Sequence, residues 1–112
     1  MTGKQKVLAF AYGYHGTVDE TFVVTGPSGE AVARPGNVGP PVPLSTTTRV
    51  AEFNDLASVE CAFKHGDIAA IITEPALTNI GIVLHEPGFI EGLHELANRH
   101  GALLILDETH TI

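Results

Sequence analysis

Apolar residues in this chain fall into short unbroken runs separated by glycine, proline or acidic breaks. Lys6 to Tyr12 (KVLAFAY) is apolar at successive rather than alternate positions, which predicts a strand in a sheet covered on both faces. Ile68 to Thr73 (IAAIIT) and Ala102 to Leu106 (ALLIL) have the same character. Thr21 to Thr25 is a weaker β-like run, and Ser45 to Val50 predicts a short strand. Two stretches carry helical spacing instead. Leu56, Val59 and Phe63 share one face, with Asn54 as N-cap, Asp55 in the first turn and Gly66 as the stop. Phe89, Leu93, Leu96 and Ala97 share another, with Pro87 at the first helical position and Gly101 closing the helix. Ala76 to Glu86 has no clear period.

From about residue 53 the predicted order is helix, strand, helix, strand with buried-type strands. That order predicts an α/β fold with a mostly parallel sheet and covering helices. Ligands in such sheets collect beyond the carboxyl ends of the strands. Between Gly26 and Pro43 half of the residues are glycine or proline, a density that predicts an irregular loop. A loop of that length in a small domain is usually functional or disordered.

Length and charge narrow the field. At 112 residues the chain fits a single compact domain. Its net charge of −7 argues against nucleic acid or an anionic membrane as partner, since both require clustered cations. No apolar run approaches the length of a membrane span or a signal peptide. The one cysteine, Cys61, excludes an intrachain disulfide framework and suits a reducing, cytoplasmic setting. Its place beside an apolar stripe predicts a core or half-buried thiol.

Three predicted strand ends carry polar groups that a strand does not need: Tyr14-His15, Glu74 with nearby Asn79, and Asp107-Glu108. Converging on one edge, an aromatic face, an amide and carboxylates would suit a flat, charged heterocycle. Taken singly, each has a plainer reading. A strand-end Asp is commonly a capping or solvated carboxylate, a Tyr beside Gly a packed turn residue, and Glu-Pro a strand stop. Other motifs fail on spacing. His94-Glu95 begins like a zinc-protease helix, but Asn98 stands at the second ligand position. The remaining histidines lack metal-ligand spacing, and no phosphate-binding glycine motif is present.

Three ordered blocks nevertheless resemble one family. Gly13-Tyr14-His15-Gly16, then Glu74-Pro75 with Asn79, Gly81 and Glu86-Pro87-Gly88-Phe89-Ile90-Glu91-Gly92-Leu93, then Ala102 to Glu108 ahead of Thr111, are similar to class III pyridoxal-phosphate aminotransferases. The similarity is greatest to the glutamate-1-semialdehyde aminomutase branch and its aspartate aminotransferase-like bacterial relatives, and it runs over essentially all 112 residues. It implies part of the large domain of a fold-type-I transferase over residues 1–112, with pyridoxal 5'-phosphate as cofactor. It also implies small amino donors and acceptors as substrates, and a homodimer for the full-length enzyme.

The resemblance assigns roles by position. Asp107 matches the aspartate that pairs with the pyridine nitrogen, Tyr14 the aromatic residue stacked on one ring face, and Asn79 an amide near the phenolic oxygen. His15 and Glu74 match positions near the site. Thr109 stands where relatives usually have Val or Ile packing on the second ring face, and His110 where they often have Gln or Met. The loop over residues 26–43 matches a gating loop.

The Schiff-base lysine of that family lies beyond the Asp-Glu motif. Lys4, Lys6 and Lys64 do not match it, so the chain by itself is expected to be inactive. Strand edges and apolar faces that the rest of such a sheet would cover predict that it is marginally stable and prone to associate. The other reading is a non-catalytic α/β binding or interaction module derived from the same fold.

Overall fold

Four parallel strands carry the fold: β1 (Lys6–Phe10), β4 (Thr48–Ala51), β5 (Ile68–Thr73) and β8 (Leu103–Leu106), in the spatial order β4-β1-β5-β8. A computed structural model describes residues 1–39 and 43–111 of the chain. The two central strands have little polar content because both their faces are covered. Leu8 and Phe10 of β1 enter a core with Val59, Phe63, Ile71, Phe89 and Leu93. Ala9 and Ala11 face the opposite way, against Val23, Ala31, Leu44 and Val50. This alternation follows from the two-residue period of a strand.

Helices α2 (Leu56–Phe63) and α3 (Phe89–His100) cover the first face. Phe10, Phe53 and Phe89 form an edge-to-face trio with centroids 5.1–5.9 Å apart. Gly92 lies against Leu56, where a Cβ would collide with the leucine methyls. The second face is covered by the antiparallel hairpin β2 (Val23–Thr25) and β3 (Ala31–Ala33) and by the single turn α1 (Leu44–Thr47). A 3₁₀ turn (Asp19–Thr21) precedes β2, and a small hairpin of β6 (Ala76–Leu77) and β7 (Val83–Leu84) follows β5.

The parallel ladders align the strand ends. Phe10 pairs with Ala51, and Thr73 with Leu106. The Asp107 amide extends the last ladder by donating to the Thr73 carbonyl at 2.8 Å. Residues that follow β1, β5 and β8 therefore emerge along one edge.

Several local expectations need correction. The segment from Gly26 to Pro43 is not wholly irregular, because Ala31–Ala33 forms β3; Pro40, Pro41 and Val42 lie outside the described residues. Ser45 to Val50 is not one strand, since Leu44–Thr47 winds a turn before β4 begins at Thr48. The N-cap of α2 is Asp55, whose carboxylate accepts from the Ser58 amide at 3.1 Å, not Asn54. Asn54 has a left-handed backbone (φ 64°), and its side chain instead ties Leu84 and Glu86 to the start of α2. Pro87 precedes the N-cap of α3, Gly88, whose φ of 86° suits glycine. Cys61 is exposed, because Val59, Ala62 and Phe63 turn the other face of α2 inward. The expectation of two covered faces fails at β8, which is an edge strand with Leu103, Ile105 and Leu106 all exposed.

Candidate functional site

The chain leaves β1 through Gly13, whose amide donates back to the Phe10 carbonyl at 3.0 Å. This tight turn places Tyr14 and His15 at the carboxyl edge of the sheet. The Tyr14 amide donates to Glu74 Oε1 at 3.0 Å, which joins the end of β1 to the end of β5. His15 Nδ1 lies 2.8 Å from Asp107 Oδ2, which joins the end of β1 to the end of β8. Three segments distant in sequence thus meet as the strand-end reading expected.

Asp107 is held on both carboxylate oxygens. Oδ1 accepts from the Thr109 hydroxyl at 2.6 Å and the Thr109 amide at 3.2 Å, and Oδ2 faces His15. These donors, the Thr109 hydroxyl first and His15 next, hold its carboxyl at about 2, below the usual carboxylate range. Asp107 is therefore a fixed anion at neutral pH. The His15 side chain is almost fully buried. Because its Nδ1 faces a carboxylate, the proton is assigned to that nitrogen. The other ring nitrogen, Nε2, is buried and has no hydrogen-bond partner among the described residues.

Glu74 is buried, and its charge is met by the chain itself. Besides the Tyr14 amide it accepts from the Thr78 hydroxyl at 2.8 Å, and His110 Nδ1 lies 3.9 Å away. A buried carboxylate persists only with such partners. Its role in this arrangement is to staple the turn after β1 to the segment after β5. His110 stacks on Tyr14 with centroids 6.0 Å apart and planes 19° from parallel, while its Nδ1 lies 3.1 Å from the Thr78 hydroxyl. Tyr14, Glu74, Thr78 and His110 thus form a closed ring of contacts beside Asp107.

The structure gives Asn79 a partner that the sequence did not suggest. With its amide oxygen turned toward Arg34, it accepts from both terminal guanidinium nitrogens, at 2.6 and 2.8 Å. The side chain remains exposed. Thr78 and Arg34 were both missed in the sequence. Thr78 follows Glu74 by four residues with no helical pattern to pair them, and Arg34 is a single cation in a Gly/Pro-rich stretch.

A cavity of about 330 Å³ opens beside Tyr14, walled by Gly16, Thr17, Asp19, Phe22 and the turn at Gly36 to Gly39. A shallower cleft follows β8, lined by Ile72, Ile105, Leu106, Asp107, Glu108 and Thr109. No cluster of His, Cys, Asp and Glu among the described residues has a metal-binding arrangement. No described helix is long and apolar enough to cross a membrane.

A parallel α/β sheet with a fixed aspartate, an aromatic ring and a buried glutamate at its carboxyl edge has the layout of a ligand-binding α/β domain. The family follows from comparison. The class-III aminotransferase model matches residues 1–111, and the chain belongs to that family. It is 43% identical, over 98% of its length, to a glutamate-1-semialdehyde 2,1-aminomutase of Exiguobacterium sibiricum, of which it covers 26%. A crystal structure of a glutamate-1-semialdehyde aminomutase from Pseudomonas aeruginosa superimposes with a TM-score of 0.92 at 50% identity, over 99% of this chain and 24% of that one. A variant of the Pseudomonas enzyme was crystallised in complex with PMP. An omega-transaminase from Sphaerobacter thermophilus superimposes with a TM-score of 0.82 at 30% identity, over 98% of this chain and 27% of that one. The chain spans about a quarter of the length of these relatives.

Proposed function

We propose that this chain works as the central segment of a pyridoxal-phosphate-dependent aminomutase or aminotransferase. In this reading residues 1–112 form part of the large domain of a fold-type-I enzyme that moves an amino group between small donors and acceptors. The enzyme would be cytoplasmic and homodimeric. The observation that carries the reading is the Asp107 carboxylate, anionic and fixed at the sheet edge, with Tyr14 on the same edge. The donor set fits the cofactor. Asp107 Oδ2, whose one contact within the chain is His15, keeps lone-pair capacity, and one aromatic ring stands ready to stack.

Pyridoxal phosphate, when bound, supplies an electron-withdrawing ring whose power depends on a protonated ring nitrogen. Asp107 would hold that proton in place, since a nearby carboxylate favours the cationic form. His15 would fix the carboxylate's orientation and keep it ionised. Tyr14 would stack on one face of the ring, a contact worth roughly 0.5–1.5 kcal/mol beyond burial. The Thr109 methyl would pack on the opposite face while its hydroxyl stays on Asp107. Asn79 would offer its amide nitrogen to the phenolic oxygen, because its own oxygen is turned to Arg34. Glu74 and His110 would act from behind Tyr14, setting the level of its ring. The segment over residues 26–43 would gate the site.

Substitution tests this in the full-length enzyme. Asp107→Asn keeps the shape and removes the charge, and the transamination rate should fall on the order of 10²–10³-fold. Asp107→Glu should retain part of the activity. A rate for Asp107→Asn within about twofold of the parent would rule out the assignment, since loss of a charge contact to the ring should cost far more.

A further inference from the structure

Arg34 stands apart from the other two arginines. Arg49 pairs with Asp67 at 2.8 Å and Arg99 with Glu60 at 3.6 Å. No carboxylate among the described residues lies within ion-pair distance of Arg34. Its guanidinium lies 5.2 Å from the ring centroids of both Tyr12 and Phe22. Its backbone is pinned at both ends, the amide donating to Phe22 at 3.1 Å and the carbonyl accepting from Asn37 at 3.1 Å. The side chain is half-buried. A cation so confined, in a chain of net charge −7, is not serving as a solubilising surface charge.

Its hydrogen-bonding capacity is only partly used. A guanidinium has five N–H groups arranged as two forks. Asn79 takes the end-on fork, since its oxygen accepts from both terminal nitrogens. The side-on fork, the Nε–H with one outer N–H, is the arrangement that matches a carboxylate with two parallel hydrogen bonds. The aromatic contacts restrain the plane of this fork, so little rotamer entropy remains to be lost on binding. Asn79 connects it to the site, for the neighbouring Thr78 bonds Glu74 and meets His110.

We propose that Arg34 is a substrate-specificity residue that binds a carboxylate of the amino-acid substrate through its side-on fork. The inference rests on the functional reading above and sharpens it, since it selects carboxylate-bearing substrates over simple amines. Arg34 does not hold the cofactor. Its contribution is to anchor the acid end of the substrate while Asn79 and Asp107 would hold the cofactor.

The test uses the full-length, cofactor-loaded enzyme and measures calorimetric binding of succinate and glutarate against their diamides. The diacids should bind and the diamides should not. Arg34→Gln should weaken diacid binding roughly 10- to 100-fold, as expected for loss of a charge-assisted bidentate contact. Arg34→Lys should restore part of it, with both variants measured at saturating cofactor because Arg34 also orients Asn79. A variant with a lowered melting temperature but parental diacid affinity would mean that Arg34 only staples the loop, and the proposal would fall. Loss of cofactor in Arg34→Gln beyond that in Asn79→Ala would overturn it in favour of phosphate binding, and equal binding of diacids and diamides by the parent would also overturn it. Failure of the parent enzyme to take up cofactor at all would instead count against the functional reading.

Discussion

His15 Nδ1 and Asp107 Oδ2 lie 2.8 Å apart although 92 residues separate them in the chain. The contact is possible because β1 and β8 both flank β5, so their carboxyl ends emerge on the same edge. With the Thr109 hydroxyl it fixes the carboxylate in orientation and charge, which is what a counter-ion for a ring nitrogen needs.

Removal of His15 tests that dependence. His15→Ala deletes one of the two side-chain donors on Asp107 and leaves a void near Gly13. Without it the Asp107 carboxyl should titrate nearer the usual carboxylate range, because a donor that lowers it is gone. In the full-length enzyme, pyridoxamine phosphate affinity should fall roughly tenfold, in line with the loss of one charged hydrogen bond. Absorbance titration measures this. Unchanged affinity would mean that Thr109 alone suffices to fix the carboxylate.

Stability has its own electrostatic anchor away from the site. Asp67 accepts from Arg49 at 2.8 and 3.2 Å and pairs with Lys6 at 3.1 Å. Arg49 first, with Lys6 assisting, holds its carboxyl at about 2. A carboxyl lowered in the folded state contributes stability above its unfolded value near 3.8 and loses that contribution as pH falls toward 2. Asp67→Asn should cost about 1–2 kcal/mol at pH 7, allowing for the partial exposure of the pair. Denaturant midpoints for parent and variant should then converge as pH falls from about 4 to 2. A constant gap between the two over that window would contradict the assignment.

The surface of the isolated 112-residue chain carries an association hazard. β8 is an edge strand with Leu103, Ile105 and Leu106 exposed, and the β6–β7 hairpin exposes Ile80, Ile82 and Leu84. Unpaired strand edges beside apolar side chains promote pairing with other chains. Sedimentation velocity should show a mean mass that rises with concentration, and Ile105→Lys should suppress the rise. One monomeric species at all concentrations, with cooperative unfolding, would contradict this.

The central sheet was legible in the sequence for a specific reason. IAAIIT has no polar position to spare for solvent, and the run coincides with β5 from Ile68 to Thr73. ALLIL also became a strand, but composition alone did not mark β8 as an edge whose outer residues lack a neighbour among the described segments. The short elements were less readable. Ala31–Ala33 pairs with β2 although it lies among glycines and prolines, because three small residues suffice against Val23. Asn54 was a good N-cap by residue type, yet Asp55 caps the helix while Asn54 bonds across to residues 84 and 86.

The site was legible where polar residues interrupt strand ends, at Tyr14, His15, Glu74 and Asp107. It was opaque where the partner arrives from a loop. Arg34 reaches Asn79 and Thr78 reaches His110 across 45 and 32 residues respectively, and neither separation follows a strand or helix period.

The most direct measurement is a crystal structure of the full-length enzyme with pyridoxamine phosphate. The account predicts an Asp107 carboxylate oxygen about 2.7–2.9 Å from the ring nitrogen, with the His15 contact intact and Tyr14 stacked on the ring. A ring nitrogen facing solvent or another side chain, with Asp107 still closed onto His15 and Thr109, would contradict it.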